Sequence, residues 1–110
     1  MTTAEIANLD DFELLVKAPA RGITSVYCAD LLSWAMSHAP EGCAWCTVMG
    51  NVNTVAVATL ADAAAIVLCE GAQLADDART KAEERGVCIA ATHLPAFEAG
   101  LALARSAGLL

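Results

Sequence analysis

Positive charge is scarce in this chain. Six Lys and Arg stand against thirteen Asp and Glu, a net charge of −7. Phosphate backbones need clustered bases, and the densest stretch, Arg79, Lys81 and Arg85, is interleaved with Asp76, Asp77, Glu83 and Glu84. That pattern is a solvated helix face, and it argues against nucleic acid and anionic membrane surfaces as partners. Long apolar runs are also missing, since none approaches the roughly 20 residues a transmembrane helix requires. Met1-Thr2-Thr3-Ala4-Glu5 has neither the basic start nor the apolar stretch of a secretory signal. Neither G-x-x-x-x-G-K-[ST] nor G-x-G-x-x-G occurs, so nothing cradles a triphosphate and no nucleotide cofactor is expected. There are only two histidines, and no Ser or Cys sits on a strained turn where His38 or His93 would activate it. No catalytic set is expected.

What the chain has in quantity is apolar residue, 57% hydrophobic against 17% charged over 110 residues. That is enough for one domain with its own core, and it rules out a solvating tail. So much apolar content in a short chain, with the segment Thr54 to Leu60 in particular, points to a homodimer. The five cysteines form an odd set without framework spacing. Cys28, Cys46, Cys69 and Cys88 each lie in or beside an apolar run, where a reduced thiol acts as a small core residue, and a cytoplasmic setting follows. Cys43-Ala44-Trp45-Cys46 has the spacing of a redox pair or half a zinc site. It falls at the start of a strand, where residues three apart point to opposite faces, and no second Cys or His pair completes a metal site. One thiol is expected in the core and one near the surface.

Along the chain, strands and helices alternate. A short helical stretch, Thr3 to Asn8, precedes an apolar strand from Phe12 to Val16. After the turn Pro19-Ala20-Arg21-Gly22, Ile23 to Cys28 reads as a strand. Asp30 is placed to cap a helix, Leu31 to Ala39, that stops at Pro40. Ala44 to Val48 is the next strand, and Gly50-Asn51-Val52-Asn53 forms a turn with two capping amides. Thr54 to Leu60 fits either period; it reads as a helix because the strong strand Ala65 to Cys69 follows almost at once. Ala75 to Arg85 is a helix with Leu74, Ala78 and Ala82 on one side and an Asp77–Lys81 pair on the other, ended by Gly86. Val87 to Ala91 is a short strand, and a last helix opens at Pro95 with Phe97, Leu101 and Ala104 facing inward. Continuous apolar strands joined by helices predict a single α/β domain over residues 1–110: three layers, α/β/α, around a mainly parallel sheet of four or five strands.

In such a sheet, ligands lie beyond the carboxyl ends of the strands. Asp30, Asn51, Asn53, Glu70, Thr92 and His93 all fall there, beside helix starts with free N–H groups. These six are the candidate ligand-binding rim. Turn and capping chemistry gathers short polar side chains at the same places.

Tyr27-Cys28-Ala29-Asp30-Leu31-Leu32-Ser33-Trp34-Ala35-Met36 resembles the DRTGG-domain family, whose members carry a strand ending in D-L-L-S and a helix with a downstream A-x-x-G, here Ala39-Pro40-Glu41-Gly42. Asn53-Thr54-Val55-Ala56-Val57-Ala58, Ala65-Ile66-Val67-Leu68 and Glu70-Gly71 continue the likeness in order along nearly the whole chain. The D-R-T-G-G string itself is absent, Arg21-Gly22-Ile23-Thr24 standing in its region. The resemblance implies a small α/β domain similar to the N-terminal domain of HPr kinase/phosphorylase. Such domains serve as regulatory modules beside phosphotransacetylase domains and between nucleotide-binding CBS domains. The combined expectation is a non-catalytic regulatory or sensory domain that dimerises and binds a small metabolite or a partner protein. The alternatives are a small enzyme using Glu70 and His93 as an acid/base pair, and a scaffold subunit without a ligand.

Overall fold

A computed structural model describes all residues from Met1 to Leu110. The elements are a 3-10 helix (Thr3–Asn8), β1 (Phe12–Val16), β2 (Ser25–Cys28), α1 (Leu32–His38), β3 (Cys43–Thr47), α2 (Val52–Ala61), β4 (Ala65–Leu68), α3 (Asp76–Arg85), β5 (Cys88–Thr92) and α4 (Ala96–Ser106). The five strands form one sheet in the order β1-β5-β4-β3-β2. β2 to β5 run parallel, each beside the next in sequence, and only β1 is antiparallel, paired with β5 from Phe12↔Thr92 onward. The α/β architecture read from the alternation of elements is therefore present, with an antiparallel edge strand added.

The most apolar segments lie at the centre of the sheet. Every residue of β3 and β4 is buried, as strands covered on both faces must be. On one face α1, α2 and α3 pack side by side over Trp45, Ile66, Leu68 and Ile89. On the other, α4, through Ala99 and Leu103, and the 3-10 helix, through Ile6, cover Cys46, Val67 and Ala90. Trp45 is wholly buried, and its indole N–H donates to the Ala29 carbonyl at 2.9 Å, satisfying the one polar atom it brings inside.

Segment 54–60 is helical. Asn51 caps α2 by accepting from the Thr54 N–H at 3.1 Å, and Thr54, Val55, Val57 and Ala58 are buried. This middle helix has α1 and α3 on its two sides, and Thr54, Val55, Val57 and Ala58 pack within the monomer, while Leu60 is 71% exposed. Gly86 ends α3 with φ of +67°, the left-handed conformation glycine adopts without a Cβ penalty.

Four local expectations are corrected. Asp30 does not cap α1, which starts without a side-chain cap; its carboxylate reaches sideways to the end of β3. Asn53 makes no capping bond, because it lies inside α2 with its side chain toward solvent. Lys81 pairs with Glu84 at 3.4 Å, one turn forward, and not with Asp77. The inward residues of α4 are Ala99, Gly100 and Leu103, while Phe97 is 77% exposed. α4 lies close against β2 and β3: a Cβ on Gly100 would stand 3.2 Å from the Cys28 sulfur. Only small side chains fit that approach, so the bulkiest residue of the helix turns out.

Candidate functional site

The carboxyl ends of β2 to β5 share one edge because the strands are parallel, but the six rim residues do not ring one depression. Asp30 is tied down there, one carboxylate oxygen accepting from Thr47 Oγ1 at 2.8 Å and from the Val48 N–H at 2.9 Å. Asn51 is occupied with its cap. Asn53 faces a separate groove of about 410 Å³ between α2 and α3, shared with Leu60, Lys81 and Arg85. Glu70 adopts the left-handed conformation, φ +58°, and its N–H donates to the Leu94 carbonyl at 3.0 Å. The next amide, Gly71, donates to Thr92 O at 3.1 Å.

Those two bonds have a larger consequence. After β4 the chain crosses to the face of α3, and after β5 it crosses to the face of α4. Diverging helices of this kind open the crevice used by ligands in α/β sheets. Here the two loops are joined by their own backbone, and the crevice at that point is closed.

The principal cleft lies one strand over. It has a volume of about 530 Å³ and is bounded by the start of β1, the end of β5, residues 71–74 and α3. Because β1 is antiparallel to β5, its beginning meets the carboxyl end of β5, and Asp10, Asp11 and Glu13 arrive beside Thr92 and His93. Of the six expected residues, these last two line the cleft. His93 stands 3.6 Å from the Asp11 carboxylate, and both are exposed. Thr92 is buried and its hydroxyl accepts from the Leu94 N–H at 3.1 Å, which shapes the turn. Arg79 reaches across from α3, donating to the Leu15 carbonyl at 2.7 Å, beside the irregularity in β1 between Leu14 and Val16. Phe12, Leu15 and Leu74 supply apolar wall. Sequence reading missed Asp10, Asp11, Glu13, Gln73 and Arg79. The usable signal was the Asp10-Asp11 pair just before a strand, informative only once that strand is known to run against β5.

Glu70 is not part of this cleft, and His93 has Asp11, not Glu70, as its acidic neighbour. The acid/base pair needed by a Glu70–His93 enzyme is not assembled.

The cysteines sort differently from expectation. Cys43 and Cys46 point to opposite faces of β3, but both are fully buried. Burial pushes the Cys43 and Cys88 thiols up to about 11, leaving them inert. Cys28, expected in the core, is exposed at the sheet edge.

No family model matches the chain, and no curated protein matches it in sequence. The likeness to DRTGG domains rests on the residues quoted for it. No helix is long and apolar enough to cross a membrane.

Proposed function

We propose that the protein is a non-catalytic, cytoplasmic regulatory domain of the DRTGG type that binds a small metabolite in the cleft between β1 and α3 and acts as a homodimer. The observation that carries this reading is the cleft itself. Its volume of about 530 Å³ suits a small molecule, and it combines apolar wall with convergent polar groups. Three carboxylates, Asp10, Asp11 and Glu13, against Arg79 and His93 favour a ligand bearing a protonated amine. Arg79 is already committed to a backbone carbonyl and Asp11 has His93 beside it, which leaves Asp10 and Glu13 as the cleft's unpaired charges. An enzyme reading is weaker, because the cleft holds no Ser or Cys nucleophile and the Glu70–His93 pair that reading uses is not assembled.

A second copy of the chain is the partner favoured by the opposite edge of the sheet. β2 has a neighbour on one side only, and Leu31, just past its end, is exposed together with Trp34 and Met36 of the helix that follows. An open strand edge flanked by apolar side chains is a surface that another strand covers.

A thermal-shift series of small amine-bearing metabolites tests the ligand. Ligand at a hundredfold excess over its dissociation constant adds about 2.7 kcal/mol to the folded state, several degrees for this size of domain. Asp11→Asn with Glu13→Gln should remove the shift while leaving the unliganded melting temperature nearly unchanged. No stabilising compound, or a shift that survives both substitutions, would overturn the assignment. Light scattering should give a dimer mass that falls to the monomer in Trp34→Glu.

A further inference from the structure

Cys28, Cys46 and Cys69 stand apart in sequence but come together at the carboxyl ends of β2, β3 and β4. Cys28 and Cys46 are register partners on adjacent parallel strands. Such partners have Cα atoms about 4.8 Å apart and side chains on the same face, inside the range of roughly 4.4–6.8 Å that disulfides span. The face is the one under α4. Cys46 is fully buried there, and the Cys28 thiol, over the space left by Gly100, donates to the Ala96 carbonyl at 3.7 Å, a bond it gives up on ionising. Cys28 is exposed at the edge strand, so it is the member of the pair that a dissolved reagent meets.

We propose that Cys28 and Cys46 form a hydroperoxide-reactive thiol pair, with Cys28 as the attacking residue and Cys46 as the resolving one. The Cys28 thiolate attacks one oxygen of the hydroperoxide; the S–O bond forms, the O–O bond breaks, and the alkoxide or hydroxide leaving group takes up a proton. This yields a sulfenic acid on Cys28 and an alcohol or water. The Cys46 sulfur then attacks the Cys28 sulfur while its own proton goes to the departing hydroxide, giving a Cys28–Cys46 disulfide and water. Two thiols have been oxidised and one peroxide reduced.

The surroundings favour this division of roles. The Cys46 thiol donates toward Cys28 and brings its pKa down to about 7, against the opposing effects of partial burial and the Asp30 charge. That same bond, a second one toward Cys69, which lowers the Cys69 thiol in turn, and burial hold Cys46 protonated, so it attacks only as its proton passes to the departing hydroxide. Cys69, also buried, donates its S–H to the Val67 carbonyl at 3.6 Å and faces no solvent. A thiol has one proton to give, so Cys46 serves one neighbour at a time, and Cys28 is the one a peroxide reaches. The three sulfurs are not arranged as a metal-binding set.

The test is to expose the full chain to stoichiometric hydrogen peroxide and map the products after chymotryptic cleavage, which separates Cys28 from Cys46. The expected product is the linked Cys28–Cys46 peptide pair, with Cys28 consumed at least about tenfold faster than Cys43 or Cys88. In Cys46→Ala, dimedone should trap a sulfenic acid on Cys28; in Cys28→Ser, the remaining thiols should stay reduced. If Cys28 reacts no faster than the buried thiols, or the disulfide joins any other pair or two molecules, the proposal fails. The wild-type map decides even if the Cys46 variant does not fold.

Discussion

Asp30→Ala is expected to destabilise the fold by about 2 kcal/mol through the end of β3, not through α1. A single carboxylate oxygen accepts from Thr47 Oγ1 at 2.8 Å and from the Val48 N–H at 2.9 Å, and Thr47 Oγ1 in turn accepts from the Met49 N–H at 3.2 Å. Val48 is exposed, so its amide finds water when the carboxylate is removed. Thr47 is 1% exposed and cannot recover, so its hydroxyl proton is left without an acceptor. Hydrogen bonds to charged groups contribute about 1.5–3 kcal/mol each, and only the Thr47 bond is irreplaceable. For 110 residues an unfolding entropy of roughly 2.1 cal/mol/K per residue converts that loss into about 9 °C of melting temperature. A double-mutant cycle with Thr47→Val, followed by thermal or urea unfolding, isolates the pair. The two substitutions together should cost at least about 1 kcal/mol less than their sum, because the second finds no bond left to break. Strict additivity, or a shift below about 2 °C for Asp30→Ala, would refute the reasoning.

Two further substitutions probe the loops around the rim. Gly50→Ala should cost about 2–3 kcal/mol, measured as a lower urea midpoint with unchanged slope, because a Cβ there meets the Gln73 backbone carbonyl and breaks the 2.9 Å Ala75 N–H bond to Gly50 O. Glu70→Gly should do the reverse. It relieves a left-handed conformation that costs an L-residue about 1–2 kcal/mol, offset by the greater freedom of glycine in the unfolded chain, for a net gain of about 0.5–1 kcal/mol. A melting temperature that stays level or falls in this variant would mean that the Glu70 side chain makes a compensating contribution.

The order and kind of elements are legible in the residues alone. β3 and β4 announce themselves because a strand buried on both faces must be apolar at every position, and Cys43–Thr47 and Ala65–Leu68 nearly are. Pro40 and Gly86 mark helix ends by backbone constraint alone, whatever surrounds them. Even the 54–60 segment, with its β-branched residues, was legible as helix, since a following strand left no room for another. Local rules failed where a residue had two partners to choose from. Asp30 sits where a cap would, yet bonding Thr47 satisfies a buried hydroxyl that a cap would have left unpaired. The last helix presents its large residues at helical spacing, but the closeness of α4 to β2 and β3 puts Ala99 and Gly100 at the tightest approach, with Leu103 inward and Phe97 turned out.

Tertiary structure alone decided the site. Nothing in residues 10–16 says that β1 runs antiparallel beside β5, and that one pairing brings Asp10, Asp11 and Glu13 to His93. Nor does the spacing of Cys28, Cys46 and Cys69 show that strand register stacks them under one helix. Strand order and register are set by which buried faces match across the whole sheet, a long-range condition that no local pattern of residues encodes.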